Sequence, residues 1–168
     1  TEALFRLEQE GALPPMQIDF TGNRPDPTLN DLKLGRLKAS RCNFLGRVEA
    51  FRDLSRSYDL VINPSRMETF GMAAIEVLAA GVPLLSSRTG VMEQVQERPQ
   101  MLFAPGRPDE LAAALKRVLR EWPDLDFGVA RSQENIRRRF LIDNTVGRVN
   151  AAYEQLMSRS DDAVQALS

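Results

Sequence analysis

Two carboxylates, Glu68 and Glu76, flank the turn Thr69-Phe70-Gly71. Glu76 is the only charged residue in the run MAAIEVLAAGVPLL, residues 72–85. That apolar density predicts a helix packed into a core, where an unpaired carboxylate costs several kcal/mol. Either it is half exposed, or a basic side chain such as Arg47 or Arg88 neutralises it, or it is kept for a ligand. An ionised carboxylate accepts two hydrogen bonds from a vicinal diol, such as the 2′,3′-diol of a ribose. Gly71 lies where the turn hands over to the helix and lets a ligand approach the backbone closely. The first N–H groups of that helix have no internal partners, and with the helix dipole they suit an anion such as a diphosphate. Glu68, ahead of the turn, is placed to accept from hydroxyls on the other side of the phosphates. The spacing suits a ligand with hydroxyls at each end and phosphate between them.

An α/β frame must position these groups. Short apolar runs alternate with helical stretches, which predicts a mainly parallel sheet flanked by helices. Strands are expected at residues 17–22, 43–45, 60–63, 83–86 and 101–103. Helices are expected at 2–10, closed by Gly11, and at 30–40, 50–57 and 91–96. The apolar helix covers 71–80 and ends at Gly81, and Pro108 opens another helix that runs to 119. Residues 23–28, with two prolines, read as a loop. Two extra helices, about 127–140 and 143–157, follow without strands. The segment from 158 onward reads as a frayed polar tail. One domain is therefore expected over 1–157, followed by a tail over 158–168.

Bulk properties narrow the chemistry. A chain of 168 residues with 43% hydrophobic and 27% charged content has the make-up of a soluble globular domain with a real core. The net charge of −1 gives no global basic field for nucleic acid. Histidine is absent, which removes a Ser-His-Asp triad, a Cys-His dyad and a histidine zinc site from this chain. Cys42 is the single cysteine and reads as a small core hydrophobe; with no internal disulfide possible, a reducing cytoplasm fits. No signal-peptide pattern is visible, and no apolar run is long enough to span a bilayer. Asp124-Leu125-Asp126 spells an acid-x-acid metal motif, but it follows Trp122-Pro123 between two helices rather than a strand end, so chance is the expected reading. Arg137-Arg138-Arg139 sits on a helix and reads as a solvated face, with contact to anionic lipid as the alternative.

The segment METFGMAAIEVLAAGVPLLSSRTG, residues 67–90, resembles the E-x7-E segment of the glycosyl transferases group 1, the retaining glycosyltransferases of family 4 with the GT-B fold. Flanking segments extend the resemblance. Asn43-Phe44-Leu45-Gly46-Arg47-Val48 is similar to the family's F-x-G-x-V loop, and LVINPS (residues 60–65) to its strand ending in Pro-Ser. Thr89-Gly90-Val91-Met92-Glu93 is similar to Gly-Gly-x-Pro-Glu, with Thr89 in place of the first Gly and Met92 in place of the Pro. Phe103-Ala104-Pro105-Gly106 and the helix after it also fit. The match is strong over 43–119, weaker to 157 and thin over 1–42.

By this resemblance the chain is one half of a GT-B fold, the C-terminal donor-binding Rossmann-like domain. Glu76 then binds ribose hydroxyls and Glu68 contacts the donor sugar, as the candidate catalytic residue. Thr69, Phe70, Gly71 and Met72 face the sugar and diphosphate, and Arg47 and Val48 line the base pocket. The donor is a UDP-, GDP- or ADP-sugar, with no metal and no further cofactor. Two departures stand out. The family's Gly-Arg strand end and following Lys, which neutralise the diphosphate, have no counterpart before Gln17, and the N-terminal acceptor domain is missing. The implied expectation is a fragment inactive by itself, whose full-length form is cytoplasmic, with peripheral membrane contact possible. Two alternatives remain open: a glycogen- or sucrose-synthase-like member of the same superfamily, and a non-catalytic α/β binding module with Glu68 and Glu76 in structural ion pairs.

Overall fold

The computed structural model describes residues 1–22, 37, 40–49, 51–122 and 124–165. Helix α1 (Glu2–Gln9) leads into β1 (Gln17–Thr21), which pairs in parallel with β2 (Arg41–Gly46). Asp19 stands opposite Asn43, and the register shifts between Phe20 and Thr21. The expected loop at 23–28 lies outside the described residues, as does the expected helix at 30–40 except for Leu37 and Ser40. β2 is longer than the expected 43–45 because Arg41 and Cys42 also pair, with Gln17 and Ile18.

A short helix α2 (Phe51–Ser55) precedes β3 (Val61–Asn63). Helix α3 (Met72–Ala79) then crosses to β4 (Leu84–Ser87), and α4 (Met92–Val95) to β5 (Leu102–Phe103). These three strands form a second parallel sheet in the order β3-β4-β5, with Val61 opposite Leu84 and Ser86 opposite Leu102. Parallel pairing requires such crossovers, and the expected alternation of strand and helix provides them. Helix α5 (Pro108–Glu121) packs against α1, and Lys116 reaches Glu10 at 2.6 Å.

β4 is buried along its whole length, as a central parallel strand covered on both faces should be. Its successive side chains go to opposite faces. Leu85 joins one cluster with Leu4 and Leu7 of α1, Phe103, and Leu115 and Val118 of α5. Leu84 joins another with Ile75, Val77 and Leu78 of α3, Met92 and Val95 of α4, and Ile136. Cys42 is half-buried against the first cluster, and burial pushes its thiol pKa up.

Two further helices follow, α6 (Val129–Phe140) and α7 (Ile142–Gln165). α7 runs through residue 158 without a break, so the stretch expected to fray is helical to Gln165. Once a helix exists each added residue gains a hydrogen bond, and no Gly or Pro stops this one after 158. Arg137, Arg138 and Arg139 are exposed in the last turn of α6, where cations complement the dipole, and Arg137 lies 3.7 Å from Glu134. No helix among the described residues is long and apolar enough to cross a membrane.

Candidate functional site

Glu68 lies in the loop after the carboxyl end of β3, the end at which ligands of parallel α/β sheets bind, and Glu76 lies in the helix that follows this loop. β3 ends at Asn63, and the loop after it carries Ser65, Arg66, Glu68 and Phe70. Gly71 caps α3 with φ of 91°, in the left-handed region that a side chain would strain. The helix begins there, with Ile75 N–H bonded to Gly71 O at 3.1 Å. Having no side chain, Gly71 leaves the Met72, Ala73 and Ala74 N–H groups without an acceptor among the described residues.

The turn is held from below by Gly90. A Cβ there would sit 2.3 Å from Phe70 O, and φ is +57°. Val91 N–H donates to the same carbonyl at 3.1 Å. The glycine of Thr89-Gly90 is therefore required by direct backbone contact with the turn. The Phe70 ring meets Phe140 of α6 edge-on at 5.1 Å.

Of the placements left open for Glu76, the structure has the half-exposed one. Ala74, Ile75, Val77 and Leu78 fill the core, while Met72, Ala73, Glu76 and Ala79 lie on the outward side. Glu76 is half-buried, and its carboxylate makes no hydrogen bond or ion pair among the described residues. Arg88 instead lies 3.7 Å from Glu93, and Arg47 is exposed with no ion pair among the described residues. The desolvation cost argued from the apolar run is correspondingly smaller. The carboxylate stays open to solvent, one helical turn beyond exposed Met72.

Glu68 is also half-buried and outside any ion pair among the described residues. It accepts a 2.6 Å hydrogen bond from Ser65 Oγ. Ser65 is fixed in turn: Ser87 Oγ donates to its carbonyl at 2.6 Å, and its N–H donates to Asn63 Oδ1 at 3.4 Å. Thr69 is exposed, Phe70 half-buried and Gly71 buried, so the turn offers its start to solvent and its end to the core. Val48 is half-buried in the loop after β2, which opens with Gly46 at φ of 69°.

Sequence reasoning did not single out Ser65, Ser87 or Arg66. Ser86 and Ser87, fully buried at the end of a strand that otherwise reads Leu-Leu, were the available signal. Arg66 is exposed with no partner among the described residues, a cation on the same loop as Glu68. A second polar cluster also went unnoticed. Asp19 accepts from Tyr58 at 2.6 Å, Asn43 at 2.7 Å and Gln17 at 2.9 Å, tying the loop before β3 to the first sheet. The Tyr58 bond, then the Asn43 bond, hold the Asp19 carboxyl below its usual range, and the same contact pushes Tyr58 up to about 12.

The acid-x-acid segment is used structurally. Asp126 is ion-paired with Arg98 and accepts the Gly128 N–H at 2.8 Å. Among the described residues no group of three or more His, Cys, Asp or Glu is arranged to hold a metal.

The family model for glycosyl transferases group 1 matches residues 2–121. The chain belongs to that family. The D-inositol 3-phosphate glycosyltransferase of Geodermatophilus obscurus is 29% identical over 148 residues, 86% of this chain and 33% of that protein. Among solved structures, the glycosyltransferase from Rickettsia africae superimposes with a TM-score of 0.70 at 16% identity, covering 93% of this chain and 43% of that one. Anabaena HepE in complex with UDP superimposes with a TM-score of 0.65 at 16% identity, covering 92% of this chain and 52% of that one. The fold is thus the Rossmann-like half of a GT-B architecture. The chain spans about a quarter to a third of the length of the curated relatives it matches.

Proposed function

We propose that this chain is the donor-binding domain of a retaining glycosyltransferase that moves a sugar from a nucleotide-sugar to a hydroxyl acceptor. The observation that carries the reading is Glu76. It is a half-buried carboxylate on the outward face of α3, close to the uncapped N–H groups of that helix, with no protein partner among the described residues. A carboxylate with no partner among the described residues can accept from a ribose diol, and the helix start can receive a diphosphate.

Glu68 contacts the donor sugar. Thr69, Phe70, Gly71 and Met72 follow the sugar and diphosphate, while Arg47 and Val48 flank the base. A UDP-sugar is the first donor to try, because HepE, which shares the fold, was solved with UDP; GDP- and ADP-sugars are the others. Charge on the leaving diphosphate is met by the helix start and by cationic side chains such as Arg66, without a metal. Transfer requires an acceptor domain facing these loops, so this chain alone binds donor but does not turn it over. The full-length enzyme acts in the cytoplasm, with peripheral membrane contact where the acceptor is a lipid.

The alternative of a non-catalytic module rested on Glu68 and Glu76 serving as structural ion-pair partners. Neither acid is in an ion pair among the described residues. Titration of the chain with UDP, GDP, ADP and their sugar conjugates tests the reading. A donor domain binds one nucleotide series and loses that binding in Glu76→Ala. A chain that binds none of them is not a donor domain.

A further inference from the structure

We propose that Ser65, Ser87 and Thr89 are positioning residues that hold Glu68 in its donor-facing orientation. This inference rests on the reading of Glu68 as the sugar contact. It starts from two serines in the wrong environment. Ser86 and Ser87 are fully buried at the end of β4, a position that central parallel strands usually fill with aliphatic residues. Buried hydroxyls are costly unless bonded, and both are bonded. Ser86 Oγ donates to Ser87 O at 3.1 Å and receives Asn63 Nδ2 at 3.3 Å.

Ser87 reaches out of the strand to the loop. Its Oγ lies 2.6 Å from Ser65 O and 3.2 Å from Thr89 Oγ1. A carbonyl can only accept, so the single Ser87 proton goes to Ser65 O. Thr89 must then donate to Ser87. Ser65 Oγ in turn donates to Glu68 Oε1 at 2.6 Å, since a carboxylate can only accept. The protons therefore all point one way: Thr89 to Ser87, Ser87 to the Ser65 peptide, and the Ser65 hydroxyl to Glu68. One carboxylate oxygen is held by the protein, and Oε2 has no hydrogen bond among the described residues. Thr89 is the distinctive member, because it contributes a hydroxyl that a glycine at this position could not.

The readout is the ratio of dissociation constants for a nucleoside diphosphate and its sugar conjugate, measured by calorimetry on this chain. Ser65→Ala should lower the ratio about fivefold, the scale of one lost hydrogen bond to a charged group after partial replacement by water. The affinity for the nucleoside diphosphate should stay unchanged. Ser65→Thr keeps the hydroxyl and should keep the ratio. Thr89→Val, which preserves shape and removes only the outermost donor, should lower it about twofold on the same scale. In a Glu68→Ala background, where no acceptor remains for the Ser65 hydroxyl, Ser65→Ala should have no further effect. A ratio unchanged by both Ser65→Ala and Thr89→Val, or lowered equally with and without Glu68, overturns the positioning role and leaves the donor reading intact. Failure of the unaltered chain to bind any nucleoside diphosphate overturns both.

Discussion

Replacing Glu76 with alanine should move affinity and stability in opposite directions. The carboxylate has no hydrogen bond or ion pair among the described residues, so truncation breaks no bond there. It lies at the fifth position of α3, where alanine is the better helix former by a few tenths of a kcal/mol. The free domain should therefore melt at the same temperature or slightly higher. Binding should suffer. A charged acceptor hydrogen-bonded to a ligand contributes about 1.5–3 kcal/mol, and half-burial places Glu76 near about 2 kcal/mol. That is a loss of roughly 30-fold in Kd. With ligand at a hundred times the unaltered Kd, stabilisation of about 2.7 kcal/mol should fall to about 0.9 kcal/mol. Thermal-shift titration of both proteins with the nucleotide that binds best, checked by calorimetry, reads both quantities together. A folded Glu76→Ala protein with unaltered affinity would refute the ribose role. Destabilisation by several kcal/mol in the absence of ligand would refute the premise that the carboxylate is structurally idle.

Other perturbations test the frame. Gly90→Ala should cost about 2–4 kcal/mol, because a Cβ would strike Phe70 O while the backbone stays in the left-handed region. Gly106→Ala has similar φ but open space around it, so chemical denaturation should show only the backbone cost of about 1 kcal/mol. Gln96→Leu removes the buried amide that donates to Leu84 O and accepts from Ser132 Oγ, and should cost about 1–3 kcal/mol in the same assay. Tyr58 has its pKa raised from 10.0 to about 12, so the stability it contributes is complete below pH 10 and is lost as pH rises through that window. Asp19 has its pKa lowered from 3.8, so its contribution is present above that value and is lost as pH falls below it. Tyr58→Phe should flatten the alkaline loss in a stability-versus-pH series; an unchanged alkaline limb would show that the pair is energetically silent.

The alternation of strands and helices was legible because its signals are local. Pro64, Gly71, Gly81 and Pro108 punctuate the chain within a residue or two of the observed boundaries. The lengthening of β2 was not legible, because Arg41 and Cys42 become strand through pairing with a partner over twenty positions away. The hydroxyls that hold Glu68 were hidden for a related reason. Ser65, Ser87 and Thr89 read separately as turn and strand-end residues, and only the parallel register of β3 on β4 brings their loops together. The Asp19 cluster likewise joins residues 19, 43 and 58, with no spacing that sequence periodicity could reveal.

Glu76 shows where apolar density misleads. A helical stretch of Met, Ala, Ile, Val and Leu carries no polar residue other than the one in question, so its sequence has no phase. Nothing in MAAIEVLAA says which side faces the core, and the natural inference is that every side does. In the fold, the outward side of α3 is made of small or flexible residues, Ala73, Ala79 and Met72, beside Glu76. Those residues are apolar but short or unbranched, and they leave the carboxylate accessible. The same composition that suggested a buried acid in need of rescue thus fits a smooth surface on which a flat, polar ligand can lie against one charge. The choice between an acid paired within the protein and an acid kept for a ligand turns on that phase. With the hydrophobic side occupied by Ala74, Ile75, Val77 and Leu78, the helix turns Glu76 away from the core, the side on which the proposed donor would lie.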